Sequence, residues 1–144
     1  MDQQKFVYVT YIATKKEKLW EALTGEAFTQ QYWGGRRIQS DWQVGSPVQH
    51  VKEDGESECK GEVLQSEPPH RLSYTFESPG FNEERPSCVL FELEQNGSTV
   101  KLTLTHDRLD AQAYMSISRG WSAILSSLKS LLETGDVLAL AACK

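Results

Sequence analysis

The sequence predicts an α+β domain in which one long C-terminal helix lies across an antiparallel sheet. Three observations carry this reading. Between about residues 36 and 107 the pattern is one of strands, and from Leu72 onward apolar and polar residues alternate within them with the period of two expected of half-buried strands. From about 111 to 134, apolar residues recur at helical spacing instead. The order of elements is strand, two helices, a run of strands, then the long helix, with no linker or repeat dividing the chain.

Residues 6–12, FVYVTYI, are β-branched and aromatic and predict a strand buried on much of both faces. TKKEKLWEALTG follows. Thr14 and Glu17 have capping-box spacing, and Leu19, Trp20 and Leu23 fall on one helical side. Gly25 is placed to end this helix in a left-handed turn. A second short helix is predicted over Glu26 to Tyr32. Strands are expected near 37–41, 47–52 and 59–66, with no clear assignment of their faces. Pro68-Pro69 cannot donate to a ladder and marks a connection. Beyond it Leu72, Tyr74 and Phe76 share a face, as do Val89, Phe91 and Leu93. QNGS at 95–98 is a hairpin signal, across which Val100, Leu102, Leu104 and His106 share the buried parity. Residues 78–86 read as a polar loop around Phe81. Asp110 is the expected N-cap of the last helix and Gly135 its terminator. On a helical wheel Trp121 lies near the middle of a stripe of Tyr114, Ile117, Ile124, Leu125, Leu128, Leu131 and Leu132. Ser116, Arg119, Ser126 and Ser130 take the far side. The apolar tail after residue 135 has no assigned role.

The 144 residues suit a single domain, with its core expected over about 6–134, and are enough to bury a core without staples. Net charge is −5 and no stripe of Lys or Arg appears, which argues against nucleic acid and anionic membranes as partners. Three widely spaced cysteines, Cys59, Cys88 and Cys143, argue against a disulfide framework and point to a reducing, cytoplasmic location. No apolar run is long enough to span a membrane, and no leader is recognisable at the N-terminus.

LWEALTGEAFTQQYWG, GEVLQSEPPHRLSYTF, VLFELEQNGSTVKLTLTH and GWSAILSSLKSLLE, in that order, resemble the bacterial proteins grouped with the activator of the heat-shock protein 90 ATPase, in the START-like (SRPBCC) superfamily. The resemblance implies the helix-grip fold: a curved antiparallel sheet of about six to seven strands gripping the C-terminal helix, with two short helices after the first strand. It also implies a cavity between sheet and helix. Many relatives carry Trp-Trp-Gly where this chain has Tyr32-Trp33-Gly34, and Gly-Gly where it has Gly45-Ser46. Superfamily members bind lipids, plant hormones or polyketides, and some act as cyclases or dehydratases. A family name by itself transfers no function.

A curved sheet and a straight helix diverge at one end, so aromatic side chains there can border space. Trp33, Tyr74, Phe76, Phe91, Tyr114, Ile117, Trp121 and Leu125 are the expected wall of a site for a hydrophobic ligand. The bland alternative is that they close a dry core, as aromatics commonly do. His106 is the titratable side chain with buried parity, and it and Tyr114 are weak candidates for acid–base chemistry. His50 and His70 are expected on the surface or in loops, and the three histidines share no metal-ligand spacing with the cysteines. Asp107 points away from His106, and Glu17 and Glu62 read as a cap and a wet-face residue. No cofactor motif is present. The leading expectation is a non-catalytic domain binding an apolar, lipid-like, polyketide-like or aromatic small molecule. The rivals are a cyclase, dehydratase or hydrolase acting on such a ligand, and a protein-binding chaperone regulator.

Overall fold

The computed structural model of the chain describes residues 4–33, 35–52, 54–76, 87–109 and 111–137. In chain order its elements are β1 (Gln4–Ile12), α1 (Lys16–Thr24), α2 (Glu26–Tyr32), β2 (Arg37–Gln39), β3 (Pro47–Val51), β4 (Ser57–Glu67), β5 (Arg71–Phe76), β6 (Ser87–Asn96), β7 (Thr99–Leu109) and α3 (Ala111–Thr134). The seven strands form one antiparallel sheet in the order β1-β7-β6-β5-β4-β3-β2. From β2 to β7 the chain meanders, each strand pairing with the one before it. β1 stands apart, because α1 and α2 carry the chain to the opposite edge while β1 pairs with β7. The result is a curled half-barrel with α3 on its inner face, the helix-grip arrangement.

Alternation decides which face is inside. Val89, Phe91 and Leu93 on β6 and Val100, Leu102 and Leu104 on β7 are buried. They join Leu19 and Leu23 of α1 and Ile117, Trp121, Leu125, Leu128 and Leu131 of α3 in one apolar cluster. The bend comes from β4. Its register jumps once against β3, between the His50 and Val51 pairs, and once against β5, between the Val63 and Gln65 pairs. At the second jump Leu64 is the extra residue, and its side chain turns outward. A Cβ on Gly61 would collide with the Thr75 carbonyl, so glycine is what lets β4 come so close to β5. β7 carries a third irregularity: Phe6 faces His106 but Gln4 faces Leu109, with Arg108 at a left-handed φ of 62°. The extra residue shifts the buried parity from His106 to Leu109.

Several local expectations are corrected. β1 is buried on one face only. Val7, Val9 and Tyr11 are 52%, 45% and 51% exposed, because they point to the outer face of the sheet, which no described element covers. The capping box at α1 does not form. The N-cap is Lys15, without a side-chain bond, and the Lys16 N–H donates instead to Oε1 of Gln95, 2.9 Å away on β6. Gly25 ends α1 in an extended conformation (φ −93°), not a left-handed one. Its glycine is explained by space, since a Cβ would lie 2.8 Å from the Glu21 carbonyl oxygen. In the β6–β7 hairpin Asn96 pairs with Thr99, and Gly97 alone takes the positive φ, 61°. Gly135 ends α3 as expected, at φ 89°, its N–H bonding the Leu131 carbonyl. The expected Asp110 cap, the loop around Phe81 and the tail from 138 onward lie outside the described residues. Among the described residues no helix is long and apolar enough to cross a membrane.

Candidate functional site

The wedge between sheet and α3 is occupied by rings. Trp121, on the inward face of α3, meets Trp33 at a centroid distance of 5.2 Å and Phe91 at 5.8 Å, both edge-on. Trp33 follows the last residue of α2, and its placement rests on its N–H bonding the Thr29 carbonyl. Phe76, the last residue of β5, lies 5.3 Å from His106 and 6.4 Å from Trp121. Tyr74, two residues earlier on the same face, tilts against Phe91 at 6.3 Å. So Trp33, Tyr74, Phe76, Phe91 and Trp121 come together in one cluster, with Phe76 the partly exposed member. Edge-to-face contacts of this kind contribute about 0.5–1.5 kcal/mol each beyond burial. Ile117 and Leu125 are buried one turn of α3 to either side of Trp121. Tyr114 sits further along, half-buried, its ring edge-on to Phe6 at 6.0 Å.

Two cluster members were not expected from the sequence. His50 is buried, not on the surface, and meets Trp33 and Phe76 edge-on, each at 5.1 Å. Its signal was available: it shares the parity of Val48, which is fully buried on β3. Trp42 packs edge-on to Tyr74 at 5.8 Å and donates its indole N–H to the Thr24 carbonyl, 2.9 Å. It adopts a φ of 57° in the connection after β2, and no periodicity reveals that position. His70 is exposed in the β4–β5 turn, as expected.

His106 lies at the centre of a hydrogen-bonded chain whose direction can be read. The Trp121 indole N–H has no choice but to donate, and it donates to Nδ1 of His106 at 2.9 Å. Nδ1 is therefore the unprotonated nitrogen, and Nε2 carries the hydrogen. Nε2 lies 2.8 Å from Oγ of Ser87. The Ser87 hydroxyl in turn donates to the Phe76 carbonyl, 2.8 Å away, leaving its oxygen to accept from the histidine. Each proton has one place, and the imidazole is neutral. Burial drives its pKa down from 6.5 to about 3. Other buried donors nearby are also engaged: the Tyr32 hydroxyl bonds the Ala22 carbonyl at 2.9 Å, and burial holds its pKa well above the usual phenol value.

The chain restricts the available chemistry. A serine and a histidine at 2.8 Å have the spacing of a nucleophile and its base. The proton is in the wrong place, however, because Nε2 already bears hydrogen and cannot take one from Ser87. Asp107 lies on the opposite side of β7 and takes no part in the chain. Among the described residues no three His, Cys, Asp or Glu side chains gather in a way that would hold a metal ion. A separate cavity of about 570 Å³ lies where the hairpin tip meets the start of α1, lined by Thr14, Lys15, Lys16, Glu17, Gln95 and Ser98 among others. It is at the other end of β6 and β7 from Ser87 and His106.

The fold has many solved counterparts. CalU16 from Micromonospora echinospora superposes with a TM-score of 0.79 at 20% identity, over 95% of this chain and 78% of that one. A protein from Mesorhizobium loti gives 0.80 at 24% identity, covering 93% and 100%. An HSP90 activator from Plasmodium falciparum gives 0.78 at 21%, covering 89% and 95%. At these identities the likeness shows the fold. No curated protein matches the sequence significantly. The model of the family "Activator of Hsp90 ATPase homolog 1-like protein" matches residues 13–133, and the chain belongs to that family. Fold and family are those of a ligand-binding or chaperone-regulator-like domain.

Proposed function

We propose that this member of the Hsp90 ATPase activator homologue family binds an apolar or aromatic small molecule, lipid-like or polyketide-like, in the seam between sheet and α3. The observation that carries the reading is the ring cluster around Trp121, with Phe76 partly exposed at one end. Trp33 and Trp121 form the inner wall, Phe91 and Tyr74 the floor, and Ile117 and Leu125 the helix side. Phe76 is the ring that must swing aside to admit a guest. The buried hydrogens of Trp121, His106 and Ser87 are already committed to one another, which favours a guest that brings few polar groups of its own. The same commitment favours binding over catalysis. His106 acts as a positioning residue that fixes the Trp121 indole, and Tyr114, beside Phe6, stands apart from the cluster.

Titration with a hydrophobic probe such as anilinonaphthalene sulfonate, followed by tryptophan fluorescence, tests the reading. A saturable change is expected, weakened several-fold by Trp33→Ala. A featureless titration with aliphatic and aromatic probes alike would overturn it.

A further inference from the structure

We infer that Trp42 is the stop at the inner end of the seam, a specificity-determining residue that limits the guest to a compact or short-chain molecule. The inference rests on the ligand site proposed above and sets its depth. The rings of the cluster form a row with two partly exposed ends. Phe76 stands at one end, beside His50 and His106. Tyr74, Phe91, Trp33 and Trp121 lie between, all buried. Trp42 stands at the other end, half-buried and edge-on to Tyr74 at 5.8 Å. Tyr74 and Phe76 are two residues apart on one face of β5, roughly 7 Å along the strand, so the row is short.

The backbone at Trp42 argues that the position requires its ring. A φ of 57° is left-handed, a conformation that is costly for a large side chain and suits glycine or asparagine. Three residues on, Gly45 takes a φ of 92° with open space around it, so the same connection uses glycine where only a turn is needed. At Trp42 fixed partners hold the residue in place. The indole N–H donates to the carbonyl of Thr24, the last residue of α1, at 2.9 Å, and the backbone N–H donates to Oγ of Ser40 at 3.0 Å. Beyond it, Gly45 and Ser46 exchange hydrogen bonds with the Val63 backbone of β4. A phenyl ring such as Phe76 has no hydrogen to donate and can swing, whereas an indole tied at its nitrogen moves only by giving up that bond. A guest that enters past Phe76 with its polar end left in water therefore meets Trp42 once it has passed Tyr74. Any surplus length stays outside. Affinity then stops rising with chain length, whereas an apolar site without a stop gains with each added methylene.

Displacement of anilinonaphthalene sulfonate by octanoate and by palmitate, each below its micelle concentration, tests this. The parent chain is expected to hold palmitate no more tightly than octanoate. Trp42→Gly and Trp42→Asn remove the ring and suit the left-handed backbone. Each should tighten palmitate by about tenfold or more and shift octanoate by less than about threefold. A Trp42 with a merely structural role would weaken both acids alike. A parent whose affinity already climbs from octanoate to palmitate overturns the inference and leaves the seam standing. So does a folded variant that gains for neither acid. A parent from which neither acid displaces the dye overturns the stop, and one that does not bind the dye at all overturns the seam with it.

Discussion

The inner seam and the outer edge of β1 are both apolar, yet they are finished differently. At the seam every polar hydrogen that can be followed has a partner: Trp121 to His106, His106 to Ser87, Ser87 to the Phe76 carbonyl. At the edge Lys129 and Glu133 meet the Tyr11 carbonyl and the Ala13 N–H, and three large side chains stand half in water. An unmade hydrogen bond in the interior costs about 1–3 kcal/mol, whereas one at the rim is made to water. The seam is therefore fixed by its own chemistry, while the edge is finished by water.

The sharpest way to break this comparison is Trp121→Ala. It removes the ring at the middle of the cluster and leaves Nδ1 of His106 without its donor. A loss of about 3–5 kcal/mol in urea denaturation is expected. A loss below about 1 kcal/mol would mean that the seam is loosely packed and the contrast false.

The next largest effect concerns acid. Unfolded, His106 titrates near 6.5; folded, its pKa lies at about 3. Between these values the unfolded chain binds the extra proton, so stability falls as pH falls. The contribution is complete above about pH 6.5 and gone by about pH 3, with a slope up to about 1.4 kcal/mol per pH unit. His106→Gln should flatten the stability–pH curve in that window relative to the parent. An unchanged curve would show that the imidazole is already wet or charged in the fold. The smallest effect belongs to the edge: Val9→Ala should shift stability by less than about 0.5 kcal/mol, and a larger loss would place Val9 in the core.

How far the sequence reached follows the same division. Strict alternation identified the buried face of β5, β6 and β7, and the helical stripe identified the face of α3, because both depend on a repeat that water enforces along the chain. These placed Trp121, Phe91, Tyr74 and His106 on the inside. β1 misled because a run of β-branched and aromatic residues reads alike whether a second layer covers it or nothing does. The α1 cap was missed because its acceptor, Gln95, lies 79 positions away, beyond any local pattern. Gly25 reads as a turn residue and Gly61 does not stand out, because at both a neighbouring carbonyl, not a turn, sets the reason. The tautomer of His106 could not be read from any spacing; it depends on an indole arriving from another element.

The junction of β1 with β7 also bears on how the chain is made. Ile12 must wait for Val100 before its ladder closes, a separation of roughly ninety residues. At a ribosomal pace of about 5–20 residues per second, the first strand emerges several seconds before its neighbour exists. For that interval the apolar side chains of FVYVTYI have no strand to pair with, so the native sheet closes only after nearly all of the chain has been made.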